Sequence, residues 1–144
     1  MALVGKKFPN ITVDAISFMG DNLRINVLEE AVNNNKKVIL FWYPKDFTFV
    51  CPTELHAFQT ALQEFEQRNT MVIGASCDTN EVHFAWLNTA KNNGGIEGVT
   101  YPLLADTTRN LAAALDILDA EWVYNQEVND EILEGSNVTF RATY

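Results

Sequence analysis

The sequence predicts an α/β fold with a partly parallel β-sheet, and two observations carry that prediction. Apolar runs rich in strand-forming residues alternate with segments whose apolar residues recur at helical spacing, in the order strand, helix, strand, helix, strand, helix. The length of 144 residues suits one domain, and a hydrophobic content of 47% is enough to build its core. Because no repeat, low-complexity tract or long linker divides the chain, we expect a single domain over residues 1–144.

The first predicted strand and helix flank residues 44–51. Residues 38–43 form a continuous apolar run, which is typical of a strand buried on both faces. Pro52 suits the first position of a helix, because its ring fixes φ and an N–H there would have no partner in the helix. Apolar side chains then recur at helical spacing to about residue 69, namely Leu55, Phe58, Ala61, Leu62 and Phe65.

Two further strand–helix pairs follow along the chain. Residues 71–75 are predicted as a second buried strand, and Asn80 as the N-cap of a helix that stops at an Asn-Asn-Gly-Gly run. Residues 101–104 are predicted as the third strand. A third helix, capped from residues 106–108, is expected to run through Leu115.

The two ends of the chain carry shorter patterns. Residues 137–144 alternate apolar and polar side chains with a period of two, which predicts one strand, and we expect the chain to end inside it. Residues 1–26 suggest only a short hairpin around residues 19–22.

The segment 116–134 departs from this pattern, because it holds seven acidic residues and no basic one. We expect a solvated, inserted loop or a short helix there. The alternative is a partner-binding surface, since apolar side chains are scattered among the carboxylates. These apolar residues are Trp122, Val123, Tyr124, Ile132 and Leu133.

The charge of the chain excludes some classes of partner. Ten basic and 19 acidic residues give a net charge of −9, which argues against binding to nucleic acid or to anionic membranes. No apolar run approaches the roughly 20 residues of a membrane span, and the first residues lack the apolar stretch of a signal peptide. With two cysteines, the chain is not a disulfide scaffold, and we expect a cytoplasmic protein with reduced thiols.

Cys51 lies where the first buried strand is followed by the helix that opens with Pro52. Unpaired N–H groups and the positive end of the helix dipole stabilise a thiolate at such a terminus, so we expect Cys51 to be a reactive nucleophile. Thr48, three residues earlier, can offer its hydroxyl to the thiolate or to a bound oxygen. Pro44 can wall off the pocket, since it is rigid and has no N–H to donate.

The surrounding sequence argues against several reactions that a reactive cysteine can carry out. A Cys-x-x-Cys dithiol is excluded, because the second position holds Glu54. A cysteine hydrolase needs an orienting histidine, and His56 does not share the helical face of Cys51. The Cys and His residues lack the clustered spacing of a zinc site. One activated thiolate suits reduction of a peroxide, in which attack on the O–O bond yields a sulfenic acid and no metal or other cofactor is needed.

Several motifs resemble the peroxiredoxins, and in particular the alkyl hydroperoxide reductase C group of typical two-cysteine peroxiredoxins. Residues 44–51 match the motif Pro-x-x-x-Thr-x-x-Cys, and residues 47–54, Phe-Thr-Phe-Val-Cys-Pro-Thr-Glu, resemble this group closely. Residues 76–86 resemble the family's Ser-x-Asp followed by His-x-Ala-Trp. Residues 101–106 resemble its Pro-Leu-Leu-x-Asp strand, and residues 138–143 resemble the strand that bears its active-site arginine.

The resemblance implies a role for each matching site residue. Cys51 would be the peroxidatic cysteine, Thr48 a hydroxyl that holds the peroxide, and Pro44 a shield of the pocket. Arg141 would stabilise both the thiolate and the charge that develops on the leaving oxygen. Glu54 would orient this arginine through a carboxylate–guanidinium pair, the alternative being an acid of the first helical turn that interacts with the helix dipole.

Other residues are expected to be structural. We expect His83 and Trp86 to pack and to fix loops, and Arg109 to be a solvated helix position. Cys77 occupies the variable position of Ser-x-Asp and follows a strand expected beside that of residues 38–43, so both thiols would lie near one sheet edge. Whether Cys77 ever resolves oxidised Cys51 stays open.

The resemblance also implies a thioredoxin-like fold with a mixed sheet and helices on both faces. It implies reduction of hydrogen peroxide and alkyl hydroperoxides, an external thiol or disulfide reductant, and a possible homo-oligomer. Family members continue beyond this last strand with a segment that carries the resolving cysteine, so we expect a C-terminally truncated domain. The alternative function is a catalytically weak fragment that acts as an interaction or chaperone module.

Overall fold

The computed structural model describes residues 3–48 and 51–144. Its strands are β1 (Thr12–Ile16), β2 (Asn22–Asn26), β3 (Lys37–Trp42), β4 (Thr70–Ser76), β5 (Leu103–Ala105), β6 (Leu118–Asn125), β7 (Asp130–Thr139) and β8 (Ala142–Thr143). Its helices are α1 (Val27–Asn33), α2 (Cys51–Thr60), α3 (Leu62–Gln67), α4 (Asn80–Leu87) and α5 (Asn110–Ala114), with a 3₁₀ turn at Lys91–Asn93.

The main sheet is mixed, with the strand order β2-β1-β5-β4-β3-β8. Strands β3, β4 and β5 are parallel, whereas β1 pairs antiparallel with β5 and β8 pairs antiparallel with β3. Alternate residues of β3 enter opposite apolar clusters: Leu40 and Trp42 join Val27 of α1 and Leu111 of α5, whereas Phe41 joins the cluster that contains α2 and α4. The predicted α/β architecture, with helices on both faces of the sheet, is confirmed.

The helix predicted from residue 52 to 69 is divided into α2 and α3. Ala61 interrupts it: its carbonyl accepts from the N–H groups of both Glu64 and Phe65, at 3.0 and 3.2 Å, so the chain tightens there before α3 begins. Phe58 and Phe65 still pack on the same apolar cluster as α2, which is why the sequence carries one continuous helical period. Helix α2 also begins at Cys51 itself, so Pro52 lies second in it.

The predicted N-terminal hairpin is confirmed, because β1 and β2 pair antiparallel around the turn that contains Met19 and Gly20. Helix α1, which periodicity did not predict, follows β2 directly. Its N-cap is Asn26, whose side-chain oxygen accepts a hydrogen bond from Glu29 N at 3.2 Å. The helix has only seven residues, too few for a clear helical period.

The caps of the later helices differ partly from prediction. The N-cap of α4 is Thr79, whose hydroxyl accepts from Val82 N at 3.2 Å. Asn80 is the first helical residue instead, because its side chain donates to Ala15 O of β1 at 2.9 Å. As predicted, a side chain from residues 106–108 serves the start of α5: the Asp106 carboxylate accepts from Leu111 N and Ala112 N at 3.4 and 2.8 Å, although the N-cap position itself is held by Arg109.

The acidic segment is neither an inserted loop nor a short helix, and this prediction was wrong. Strands β6 and β7 form an antiparallel hairpin in which Trp122 lies opposite Leu133 and Val123 opposite Ile132. These cross-strand aromatic and aliphatic pairs stabilise a two-stranded sheet despite the many carboxylates. These apolar residues stand in short consecutive runs rather than alternating with polar ones, so no period-two pattern indicated the strands.

Arg109 helps to hold this hairpin, which corrects its expected role as a solvated helix position. It is the N-cap of α5 with a left-handed φ of 63°, and its Nε donates to Asn137 O of β7 at 3.1 Å.

The strand predicted over residues 137–144 is divided between two sheets. Its first part ends β7, where the Thr139 hydroxyl donates to Tyr43 O at 3.0 Å. Its last part, β8, pairs with β3 through Phe41 and Trp42. Arg141 is one of the two residues between these strands. Because β8 pairs with the end of β3, Arg141 lies beside the start of α2.

Among residues 3–48 and 51–144, no helix has both the length and the apolar character needed to cross a membrane.

Candidate active site

Cys51 is the first residue of α2 and is fully buried in the apolar cluster on one face of the sheet. The helix begins beyond the carboxyl end of β3, so the thiol lies at the edge of the sheet where parallel strands present functional groups. Leu55, one turn later and also fully buried, anchors α2 to the same cluster. A rigid helix start therefore holds this cysteine.

The guanidinium of Arg141 reaches this thiol from the other end of the sequence. Its Nη2 lies 3.6 Å from Cys51 Sγ, while its Nε donates to Glu54 Oε1 at 2.6 Å. Glu54 and Cys51 are three residues apart on α2 and so lie on one helical face. The hydrogen bond and charge of Glu54 raise the pKa of Arg141 above its ordinary value, despite some desolvation. The structure thus brings together Cys51, Glu54 and Arg141, and their predicted roles rest on this geometry.

The other two predicted site residues lie in the loop between β3 and α2. The Thr48 hydroxyl donates to Lys45 O at 3.2 Å, a hydrogen bond within the loop itself. Pro44 is half-buried at the end of β3. Their assignment as peroxide holder and pocket shield remains a prediction. Two residues of the quoted motif, Phe49 and Val50, lie outside the described part of the chain.

A cavity of about 530 Å³ opens beside this loop. Thr48 and Pro52 line it on one side, and His56 and Lys91 also line it. Space for a small ligand therefore adjoins the hydroxyl that the sequence proposed for holding a peroxide.

A buried polar cluster beneath the loop was not predicted as a unit. Asp46, nearly fully buried, accepts a hydrogen bond from the Tyr43 hydroxyl at 2.7 Å and contacts His83 Nδ1 at 2.6 Å. The N–H of Asp46 donates to Asp78 Oδ2 at 2.9 Å, and the Ser76 hydroxyl donates to the same oxygen at 2.7 Å. The sequence offered one signal for this cluster: Asp46 is a carboxylate that lies between the buried strand of residues 38–43 and Cys51. The expected loop-fixing contact of His83 is present.

Cys77 lies on the opposite face of the sheet from Cys51, within the other apolar cluster. Both thiols are unpaired, although the parallel strands that precede them end at the same sheet edge. Burial raises the pKa of Cys77 to about 11. The layer of the sheet between them separates Cys77 from the nucleophile.

Within residues 3–48 and 51–144, no group of three or more His, Cys, Asp or Glu side chains is arranged to hold a metal ion.

The chain is similar to known proteins over most of its length. The model of the AhpC/TSA family matches residues 4–144. An alkyl hydroperoxide reductase C from Helicobacter pylori is 42% identical over 120 residues, which cover 83% of this chain and 60% of the relative. A chloroplastic 2-Cys peroxiredoxin from Hordeum vulgare is 41% identical, over 82% of this chain and 55% of its own length. The chain thus spans little more than half the length of these relatives.

Solved structures agree with the sequence comparison. Enterococcus faecalis AhpC superposes with a TM-score of 0.73 and 31% identity, over 95% of this chain and 83% of that one. The reduced 2-Cys peroxiredoxin of Plasmodium vivax superposes with a TM-score of 0.74 and 29% identity, over 94% of this chain and 86% of that one. The thioredoxin-like fold inferred from the motifs is therefore confirmed. Together with the match over residues 4–144, these likenesses establish that the chain belongs to the AhpC/TSA family.

Proposed function

We propose that this chain carries the peroxide-reducing site of a thiol-dependent peroxidase that acts on hydrogen peroxide and alkyl hydroperoxides. The observation that carries this proposal is the 3.6 Å contact between Arg141 Nη2 and Cys51 Sγ, at a helix start. A fixed guanidinium stabilises a thiolate, and the thiolate is the form of cysteine that attacks a peroxide. The named relatives, an alkyl hydroperoxide reductase and a peroxiredoxin, support the same chemistry.

In this reaction, the Cys51 sulfur attacks one oxygen of the peroxide. An S–O bond forms as the O–O bond breaks, and the second oxygen leaves with a proton as water or an alcohol. The sulfur is oxidised to a sulfenic acid and the peroxide is reduced. Arg141 lies where it can stabilise negative charge on the leaving oxygen, with Glu54 holding its orientation. Thr48 is proposed to hold the peroxide and Pro44 to shield the sulfenic acid.

An external thiol or disulfide reductant would complete the cycle, because Cys77 lies across the sheet from Cys51. Unpaired thiols on both sides agree with a reducing compartment such as the cytoplasm. A homo-oligomer is supported by exposed apolar side chains around one turn: Phe18 and Met19 are 47% and 73% exposed, and Phe84 approaches Gly20 beside them.

Intact mass spectrometry after brief exposure to peroxide, with dimedone as the sulfenic-acid trap, tests this function. We expect one dimedone adduct on Cys51 in the wild type and in Cys77→Ser, and none in Cys51→Ser. Circular dichroism on each variant verifies that it is folded. A folded wild-type chain without an adduct would overturn the proposal and favour the interaction or chaperone module instead. An adduct on Cys77 would contradict the assignment of the nucleophile.

A further inference from the structure

Both ring nitrogens of His83 face hydrogen-bond acceptors. Nδ1 lies 2.6 Å from Asp46 Oδ2 and Nε2 lies 2.9 Å from Leu104 O, and the side chain is fully buried. A carbonyl oxygen can only accept, so Nε2 carries a proton. An ionised carboxylate can also only accept, so Nδ1 carries one as well. The contacts therefore fit an imidazolium that bridges the loop carboxylate and β5.

The hydrogen-bond partners of Asp46 are those expected for a carboxylate. Its Oδ1 accepts from the Tyr43 hydroxyl at 2.7 Å, so each of its oxygens has a donor. Burial by itself lowers the pKa of His83, but the hydrogen bond and charge of Asp46 outweigh burial and the net shift is upward. Burial raises the pKa of Asp46, and the hydrogen bond and charge of His83 oppose that rise without cancelling it, so the net shift is upward. The proton on His83 Nδ1 lies between the ring and Asp46 Oδ2, and the imidazolium and the carboxylate together carry no net charge.

The charged and titratable groups around His83 come from the end of β3, the loop after it and the segment after β4. They are Tyr43, Asp46 and Asp78. Asp78 does not contact the ring; it accepts the backbone N–H of Asp46 at 2.9 Å. His83 of α4 therefore holds the side chain of Asp46, and Asp78, just after β4, holds its backbone.

The next residue shows why this anchor matters. Phe47 adopts a left-handed φ of 58°, which is strained for a bulky residue, and its ring packs on Trp86 with the centroids 6.0 Å apart. Strain of this kind persists only where the surroundings determine the backbone, and such sites cluster at functional loops. Trp86 and His83 are three residues apart on α4, so one face of this helix holds two consecutive loop residues.

We propose that His83, as an imidazolium paired with Asp46, is a positioning residue that fixes the loop from which Cys51 enters α2. The inference rests on the proposed peroxidase function. It assigns His83 no contact with the substrate. Loss of one of its two ring protons would break either the hydrogen bond to Asp46 or the hydrogen bond to Leu104 O. The loop residues that precede Cys51 in the sequence would then be free to shift.

The protonation of His83 is tested on the wild-type protein, where folding is not in question. In a ¹⁵N-labelled sample at pH 7 to 8, both ring nitrogens of His83 should resonate as protonated nitrogens, whereas those of half-buried His56 provide the internal reference. In Asp46→Asn, one His83 nitrogen should move to the position of an unprotonated nitrogen. A neutral His83 ring in the wild type would overturn the imidazolium assignment.

The positioning role is tested by the rate at which peroxide oxidises Cys51. We expect Asp46→Asn and His83→Gln each to slow this step about tenfold to a hundredfold, the loss typical of a misplaced reacting group. The double variant should lose no more than the worse single variant, because the residues act as one pair. The control is Leu115→Ala, which weakens the opposite apolar cluster and should change the oxidation rate less than twofold.

The outcomes separate this inference from the function on which it rests. A wild type that peroxide does not oxidise contradicts the peroxidase itself. A reactive wild type with an equally reactive Asp46→Asn, or a Leu115→Ala slowed as much as Asp46→Asn, contradicts the positioning role. If Asp46→Asn fails to fold, Tyr43→Phe replaces it: this variant removes only the 2.7 Å donor to Asp46, keeps both charges and should slow oxidation to a smaller extent.

Discussion

Arg141 Nη2 lies 3.6 Å from Cys51 Sγ, although 90 positions separate the two residues in the sequence. The approach depends on the chain leaving β7 at Thr139 and joining β3 as β8 from Ala142 onward, which leaves Arg141 at the crossing. The Arg141 side chain is 46% exposed, so its orientation depends on the Glu54 carboxylate. A cation held in this way lies where the proposed stabilisation of the sulfur and of the leaving oxygen requires it.

Arg141→Ala is expected to slow oxidation of Cys51 by peroxide about 10²-fold, the usual loss when one charge-stabilising donor is removed from an active site. Arg141→Lys should recover only part of the rate, since an ammonium cannot contact Glu54 and Cys51 as a planar fork. Arg24→Ala, which removes a surface arginine paired with Asp14, is the matched control. An unchanged oxidation rate in Arg141→Ala would contradict the role.

Glu54→Gln is expected to have a smaller effect, because Glu54 acts through Arg141. Loss of a charge-assisted hydrogen bond at this partly exposed position is worth about 1 kcal/mol, or roughly a fivefold slower oxidation. Stopped-flow tryptophan fluorescence measures the rate. If Glu54 serves only as an acid of the first helical turn, Glu54→Gln should lower stability without changing this rate. In the Arg141→Ala background, the substitution should have no further effect on oxidation.

Cys77 is expected to be a spectator thiol at neutral pH. Because burial raises its pKa to about 11, Cys77 should stay unmodified by iodoacetamide at pH 8 in the folded chain, as peptide mass spectrometry can determine. Because the folded pKa is higher than that of an unfolded thiol, near 9, its contribution to stability is complete below pH 9 and is lost towards pH 11. Urea midpoints should fall less across this window in Cys77→Ala than in the wild type. Equal slopes would refute the raised pKa.

Gly135→Ala is expected to destabilise the β6–β7 hairpin. A Cβ there would lie 2.3 Å from Asp119 O across the hairpin, and the residue has a φ of 140°. Together the clash and the strain should cost about 1–3 kcal/mol of unfolding free energy. Gly98→Ala is the matched control, because it shares a positive φ of 102° but would meet nothing within 4 Å. Urea denaturation should show a larger loss for Gly135→Ala, and equal losses would contradict the steric argument.

The elements that the sequence predicted well are those with a strong local pattern. The apolar run of β3 and the helical spacing after Pro52 located Cys51 at a helix start, and the motifs identified the family. Helix α1 was missed, because its seven residues carry no clear helical period. The β6–β7 hairpin was missed because its apolar residues stand in short consecutive runs among many carboxylates and are paired only across the two strands.

Local residue types and spacing determined the α/β class and the position of the nucleophile, and the resemblance to the peroxiredoxins implied Arg141 as its partner. Only the tertiary structure decided how those residues meet, because contacts between distant segments depend on strand order and on where the chain changes sheets. It put Cys77 across the sheet from Cys51, brought Arg141 to the thiol and buried Asp46 against His83. That last contact is long-range, and a buried pair gains its strength from a desolvated environment that no local pattern encodes.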